Sequence, residues 1–183
     1  MSPCNNMNPK KGLSFLEIIF ALTILTVGIL GLIQSSGTTM RANAKAGDEI
    51  IATSLGRGLL AEIISKNFSD PQYPTNTSLG PNMGNTAMET RHGAVGNCFD
   101  DVDDYNGTLE APPETVNGTV MNGASGTPDY SLFSRNVTVS YVDFLTDGTY
   151  VENPGSPTAY KKAAVTVTAP GGKTHTIDAI KAQ

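Results

Sequence analysis

Glu17 is a carboxylate inside an otherwise apolar run, LSFLEIIFALTILTVGILGLI, residues 13 to 33. An acid in a membrane-length segment is costly and is normally kept there for a partner or a task. Farther along, Asp100, Asp101, Asp103 and Asp104 crowd the stretch FDDVDDYNG. Such a set can offer hard oxygen ligands to calcium. It is not an EF-hand, because the glycine and the closing glutamate of that loop are missing whichever aspartate begins the count. The other reading is a turn in which the Asp side chains accept hydrogen bonds from local backbone amides. Against that stands the mutual repulsion of four neighbouring carboxylates. Both readings stand on the sequence.

Catalysis finds little material in the chain. There are only two histidines and two cysteines, Cys4 and Cys98, and no nucleophile elbow, phosphate-binding loop, zinc spacing or dinucleotide fingerprint. The triplet Arg91-His92-Gly93 matches part of the histidine phosphatase signature, but no second catalytic arginine or histidine context follows it. His175 alternates with Thr174 and Thr176, the pattern of an edge or surface position on a strand. An enzyme is therefore not expected, since catalysis needs convergent groups. Nucleic acid is not expected as a partner either: the formal net charge is −5 and no basic face is evident.

The elements that would position these groups begin with the apolar run, whose length is about the ~20 residues an α-helix needs to cross a bilayer. A secretory signal has its small-residue cleavage site after a shorter apolar core. Here Gly12 comes before the core, directly after Lys10 and Lys11. A cut there leaves the whole apolar segment on the mature chain. The two lysines hold the leader on the cytoplasmic side by the positive-inside bias, which puts the remainder outside.

Lys10-Lys11-Gly12 followed by LSFLEIIFALTILTVGILGL resembles the class III signal of type IV prepilins and type II secretion pseudopilins. In that family a prepilin peptidase cuts after the glycine, methylates the new amino terminus and meets a glutamate at the fifth mature position. The resemblance implies that Gly12 is the cleavage glycine, Leu13 the methylated N-terminal residue and Glu17 the fifth-position glutamate. Phenylalanine is commoner in the family where Leu13 stands. The match covers roughly the first 25 residues and is specific, because basic pair, glycine, glutamate offset and apolar run coincide. In a filament the terminal amine of Leu13 and a neighbour's Glu17 would compensate each other and fix the register between subunits. The alternative is a Glu17 that lies at the headgroups, favoured by the positive end of the helix dipole. The pattern is more similar to minor pilins of the PilV type and minor pseudopilins than to major pilins, which carry proline where Gln34 stands. Gly28, Gly31 and Gly37 can serve as close-packing points between helices or as soft places in this one.

Beyond the run the helical pattern turns amphipathic, with Met40, Ala44, Ile51, Leu55, Leu59 and Ile63 at helical spacing. No proline interrupts between Leu13 and Pro71, and Asn67 to Pro71 reads as the stop. Residues 69 to 91 read as an irregular connection. Short strands are predicted near AVGNCF and GTVM, and clearer ones over RNVTVSYVDF, AAVTVTA and THTIDAI, the last two joined by the APGGK turn. The expected fold is α+β and pilin-like, a long N-terminal helix packed on a small C-terminal antiparallel sheet. Its parts are a leader over 1–12, a helix over 13–68 with 13–33 in the membrane or filament core, and a β-rich exported domain over 69–183.

Removing the leader takes Cys4 with it and leaves Cys98 alone, so no intramolecular disulfide forms. Cys98 is then a small buried residue or an intermolecular partner. Sequons at Asn67, Asn76, Asn106, Asn117 and Asn136 are expected by chance in a Thr/Asn-rich chain. The expected role is that of a minor pilin, with a minor pseudopilin or a non-polymerising, membrane-anchored periplasmic binding module as alternatives. The implied partners are the prepilin peptidase, other major and minor pilins and the inner-membrane assembly platform. The implied location is a single pass through the inner membrane before assembly and a pilus or pseudopilus after it.

Overall fold

The computed structural model describes residues 14–71, 79–81, 89–93, 98–152 and 156–183. Lys10, Lys11, Gly12 and Leu13 lie outside the described residues, as does most of the stretch read as an irregular connection. One helix, α1, runs Phe15–Ser65, and the chain divides into two compact units, Met1–Lys45 and Ala46–Gln183.

The first unit holds the apolar part of α1. Ser14 opens the helix, its carbonyl accepting from the amides of Glu17 at 2.9 Å and Ile18 at 3.2 Å. Every described side chain from Ser14 to Lys45 is exposed, and α1 is long and apolar enough to cross a membrane. Its two threonines in the apolar run are satisfied internally, Thr23 donating to the Phe20 carbonyl at 2.8 Å and Thr26 to that of Leu22. That is what a hydroxyl in hydrocarbon requires, since no water is there to pair it.

In the second unit α1 packs on a sheet. Ala52, Leu55, Gly56, Leu59, Leu60 and Ile63 are its buried residues, a stripe at helical spacing. Full burial stabilises side chains such as Leu59 and Ile63 by about 1.5–3 kcal/mol each. Gly56 sets the closeness of the approach: a Cβ there would lie 2.8 Å from Ile177 Cδ1 and 3.1 Å from Val167 Cγ2. Met40, placed by its spacing on the apolar face, is 71% exposed.

The helix ends three residues before the expected position 68, because the backbone of Asn67 pairs elsewhere. Its amide donates to the Asp100 carbonyl at 3.1 Å, and its carbonyl accepts from Val102 at 3.1 Å. Lys181 meanwhile donates to the carbonyl of Ile64 at 2.8 Å and to that of Lys66. A lysine on the last turn's carbonyls satisfies acceptors that a helix end leaves open.

The sheet is antiparallel and contains β1 (Leu109–Glu110), β2 (Ser134–Phe144), β3 (Tyr150–Glu152), β4 (Tyr160–Thr168) and β5 (Thr174–Ala182). Its order is β1-β2-β4-β5, with β3 paired to β2. Val137 opposes Val165 and Val139 opposes Ala163, all inward, while Thr138, Ser140 and Thr166 face out. This is the two-residue alternation of a half-buried sheet. The APGGK turn closes β4 onto β5, with Gly171 and Gly172 at φ +86° and +82°, a conformation that favours glycine. Of the two shorter strand expectations, one falls mostly outside the described residues and the other needs correction. Ala94 to Asn97 of AVGNCF lie outside the described residues, and Cys98 makes only an isolated bridge to Thr90. In GTVM, Val120 likewise makes a single bridge to Glu114.

Candidate functional site

Glu17 lies in the first turn of α1, exposed, beside a groove lined by Ile18, Ala21, Leu22 and Leu25. The positive end of the helix dipole favours a carboxylate there. Lys10, Lys11, Gly12 and Leu13 of the signal lie outside the described residues.

The acidic turn is held by its own side chains. Asp101 Oδ1 accepts from the amides of Asp103 at 2.6 Å and Asp104 at 3.2 Å. Asp104 Oδ2 accepts from those of Asp100 at 2.9 Å and Asp101 at 3.1 Å. Aspartates bonding backbone a few residues away are the Asx-type turn chemistry anticipated for this sequence. The turn is not solvated, however: Asp101 and Asp104 are 0% exposed and Asp103 1%.

Asp103 stands apart from the other three. Its Oδ2 meets Lys161 Nζ at 2.6 Å, and that ammonium also donates to the Phe68 carbonyl and sits 4.3 Å above the Phe68 ring. Ligand oxygens of Asp100, Asp101 and Asp104 lie within 4.8 Å of one another. Glu89, from a distant segment without a motif, interacts with them electrostatically. Burial, then the charges of Asp104, Asp100 and Asp70, push its carboxyl up to about 7. Burial and the charges of Asp104 and Asp103 likewise push Asp101 up to about 7. Glu89 Oε2 and Asp100 Oδ1 are buried without a hydrogen-bond partner among the described residues. A proton on Glu89 relieves this crowding, and the open oxygens also suit a hard cation. Of the four aspartates read from the sequence as calcium ligands, Asp103 is paired with Lys161, while Asp100, Asp101 and Asp104 keep oxygens close together and Glu89 feels their charge.

A second network ties α1 to the connection that follows it. Arg91 donates from Nε to Glu62 Oε1 at 2.8 Å and from Nη1 to Glu110, while Arg135 donates to Glu110 and to the Glu114 carbonyl at 2.6 Å. Tyr105 Oη donates to Glu62 Oε1 at 2.8 Å. Burial pushes Glu62 up, but the hydrogen bonds from Arg91 and Tyr105 and the Arg91 charge overcome it and hold the carboxyl below its ordinary range. The arginine of the RHG triplet is thus engaged by two carboxylates of its own chain, and His92 meets Glu114 at 3.1 Å.

His175 is on β5, the edge strand anticipated, half-buried, with Nε2 unpaired among the described residues. Cys98 is also half-buried, its thiol donating to the Gly93 carbonyl at 2.8 Å. Neither Glu89 nor the Glu62–Arg91–Glu110–Arg135 network carried a motif by which spacing could have found it. No family model, curated protein or solved structure matches this chain.

Proposed function

We propose that the chain is an assembly subunit of a type IV pilus, a minor pilin, cut between Gly12 and Leu13 and incorporated by packing of its N-terminal helix. The observation that carries the reading is the exposed, apolar first part of α1 with Glu17 in its first turn, on a helix whose last part is packed on a small antiparallel sheet. An apolar helical surface of that length needs lipid or other helices around it. In this reading both are used in turn: the bilayer holds the subunit before assembly, and neighbouring α1 helices replace the lipid afterwards. Glu17 compensates the terminal amine of Leu13 on the next subunit and sets the register. The partners are the prepilin peptidase, other pilins and the inner-membrane assembly platform.

The test is intact-mass and N-terminal analysis of the chain from native membranes and from sheared surface filaments. A chain starting at methylated Leu13 and present in the filaments is the expected result. The same processed chain confined to the envelope assigns it instead to a type II secretion pseudopilus or to a non-polymerising anchored module. An uncut leader in cells with active prepilin peptidase overturns the proposal.

A further inference from the structure

Charge is distributed unevenly along the chain. Of the 17 acids only Glu17 precedes Asp48, whereas four of the 12 lysines and arginines do, namely Lys10, Lys11, Arg41 and Lys45. Ala46–Gln183 therefore holds sixteen acids against eight basic residues. Arg41 and Lys45 are four residues apart on α1, hence on one helix face, and are the only charges between Glu17 and Asp48. Both are exposed, and neither pairs with an acid among the described residues. Around them stand Ala42, Ala44, Ala46 and Gly47, side chains small enough to admit a close neighbour, and Met40 precedes them.

Lipid headgroups are a poor match for this cationic collar. At 1.5 Å per residue, Arg41 lies about 12 Å and Lys45 about 18 Å beyond Ile33, whereas the polar layer outside the hydrocarbon is only about 5–8 Å thick. A protein surface of opposite charge fits better, and the same chain carries one. From Asn136 to Tyr160 there are three acids, Asp143, Asp147 and Glu152, and no cation. The β2–β3 hairpin in that stretch also exposes Phe144, Leu145 and Val151, each by nearly half. Glu152 is met by Lys162, Asp143 also interacts within its own chain, and Asp147 uses Oδ1 for the amide and hydroxyl of Thr149, so the hairpin offers the collar its negative field and not an unpaired acid. Exposed ion pairs alone bind weakly, so the acids would orient the contact and burial of Met40 against the exposed apolar side chains would hold it.

We infer that the Arg41–Lys45 collar of one copy docks on the Asp143–Asp147 hairpin of a second copy. This deepens the assembly reading above and rests on it for the meeting of copies. The test is zero-length carbodiimide coupling, which joins a lysine amine to a carboxylate it touches. It is applied to native membranes from cells that make isotopically heavy and light full-length chains in mixture. A mixed heavy–light peptide joining Lys45 to Asp143 or Asp147 is expected. Total heavy–light coupled dimer should fall at least fivefold in Arg41→Asp/Lys45→Asp and in Asp143→Lys/Asp147→Lys chains, and the Lys45 peptide itself should fall as much in Arg41→Asp, which keeps the coupling lysine. Coupled dimer should return when the two double variants are expressed together, now through the introduced lysines and aspartates. Coupling only within one chain, a yield indifferent to both reversals, or no recovery in the mixed pair overturns the inference. So does a collar reversal that changes only retention in anionic membranes, which would assign Arg41 and Lys45 to headgroups. The amino terminus is read on the same samples. A processed, filament-borne chain without the coupling leaves the pilin reading intact and removes this contact; an uncut chain that couples does the reverse.

Discussion

Lys161 and Asp103 form an ion pair of 2.6 Å with side chains 0% and 2% exposed, joining strand β4 to the acidic turn. The register explains the lysine: on β4 the inward positions are Lys161, Ala163, Val165 and Val167, so alternation that buries the valines buries the lysine too. Removing one partner of a buried pair strands the other charge at about 3–5 kcal/mol. Lys161→Met should therefore destabilise the full chain by about that amount, read as the denaturation midpoint in detergent. Lys161→Met/Asp103→Asn should recover most of the loss, because no uncompensated charge is left. A double variant as unstable as the single one would mean that Lys161 acts through Phe68 rather than through Asp103.

Glu89 and Asp101 both titrate near 7 in the folded chain, raised by burial and by neighbouring acids. Their ordinary values are 4.5 and 3.8, so the folded state binds more protons than the unfolded one between roughly pH 4 and 7. Stability then falls as pH rises through that window. Thermal unfolding at pH 5 and pH 8 should give the higher midpoint at pH 5. Glu89→Gln should raise the midpoint at pH 8, change it little at pH 5 and so flatten the profile. If millimolar calcium raises the pH 8 midpoint of the wild-type chain but not of Glu89→Gln, the cluster is a cation site and not a proton-binding turn.

Two helical glycines should respond oppositely to alanine. Gly58 has nothing within 4 Å of the position a Cβ would take, so Gly58→Ala should gain the helix propensity of alanine, about 1 kcal/mol. At Gly56 the same methyl meets Val167 at 3.1 Å and Ile177 at 2.8 Å, and the overpacking cancels that gain. Gly56→Leu should cost about 1–3 kcal/mol, because no movement of the Ile177 end alone makes room for it. Equal gains at the two sites would show that α1 does not approach the sheet as closely as described.

What the sequence disclosed was what repeats locally. β2, β4 and β5 are long enough to display alternation, and the APGGK turn between two of them needs its glycines. β1 and β3 have two and three residues, too few to show any period. The inward placement of Ile63, Leu59 and Leu55 follows from helical spacing, while Met40 obeys the same spacing and is exposed. The buried polar clusters depend on distant partners. Lys161 and Asp103 are 58 residues apart, and Arg91 is 29 from Glu62 and 19 from Glu110. The acidic turn itself was visible as four aspartates, but the division of labour that sends Asp103 to Lys161 and brings in Glu89 is a property of the folded chain.

Glu17 separates the assembly reading from simple anchoring. A carboxylate in the first turn of an apolar helix costs free energy in the bilayer, so Glu17→Leu should insert at least as well as the wild-type chain and remain a membrane protein. If the acid compensates a neighbour's Leu13 amine, the variant leaves that cation buried and unpaired in the assembled helix bundle, a loss of several kcal/mol per contact. Incorporation into sheared filaments should then fall by at least tenfold while the amount in the membrane is unchanged. Glu17→Asp, which keeps the charge on a shorter stem, should restore part of it, and Glu17→Gln should restore little, because the amine needs a charge and not only an acceptor. The measurement is quantitative mass spectrometry of the filament and membrane fractions from the same cells, with methylation of Leu13 scored in each. Incorporation that survives Glu17→Leu would place the carboxylate at the headgroups and take the register role away from it.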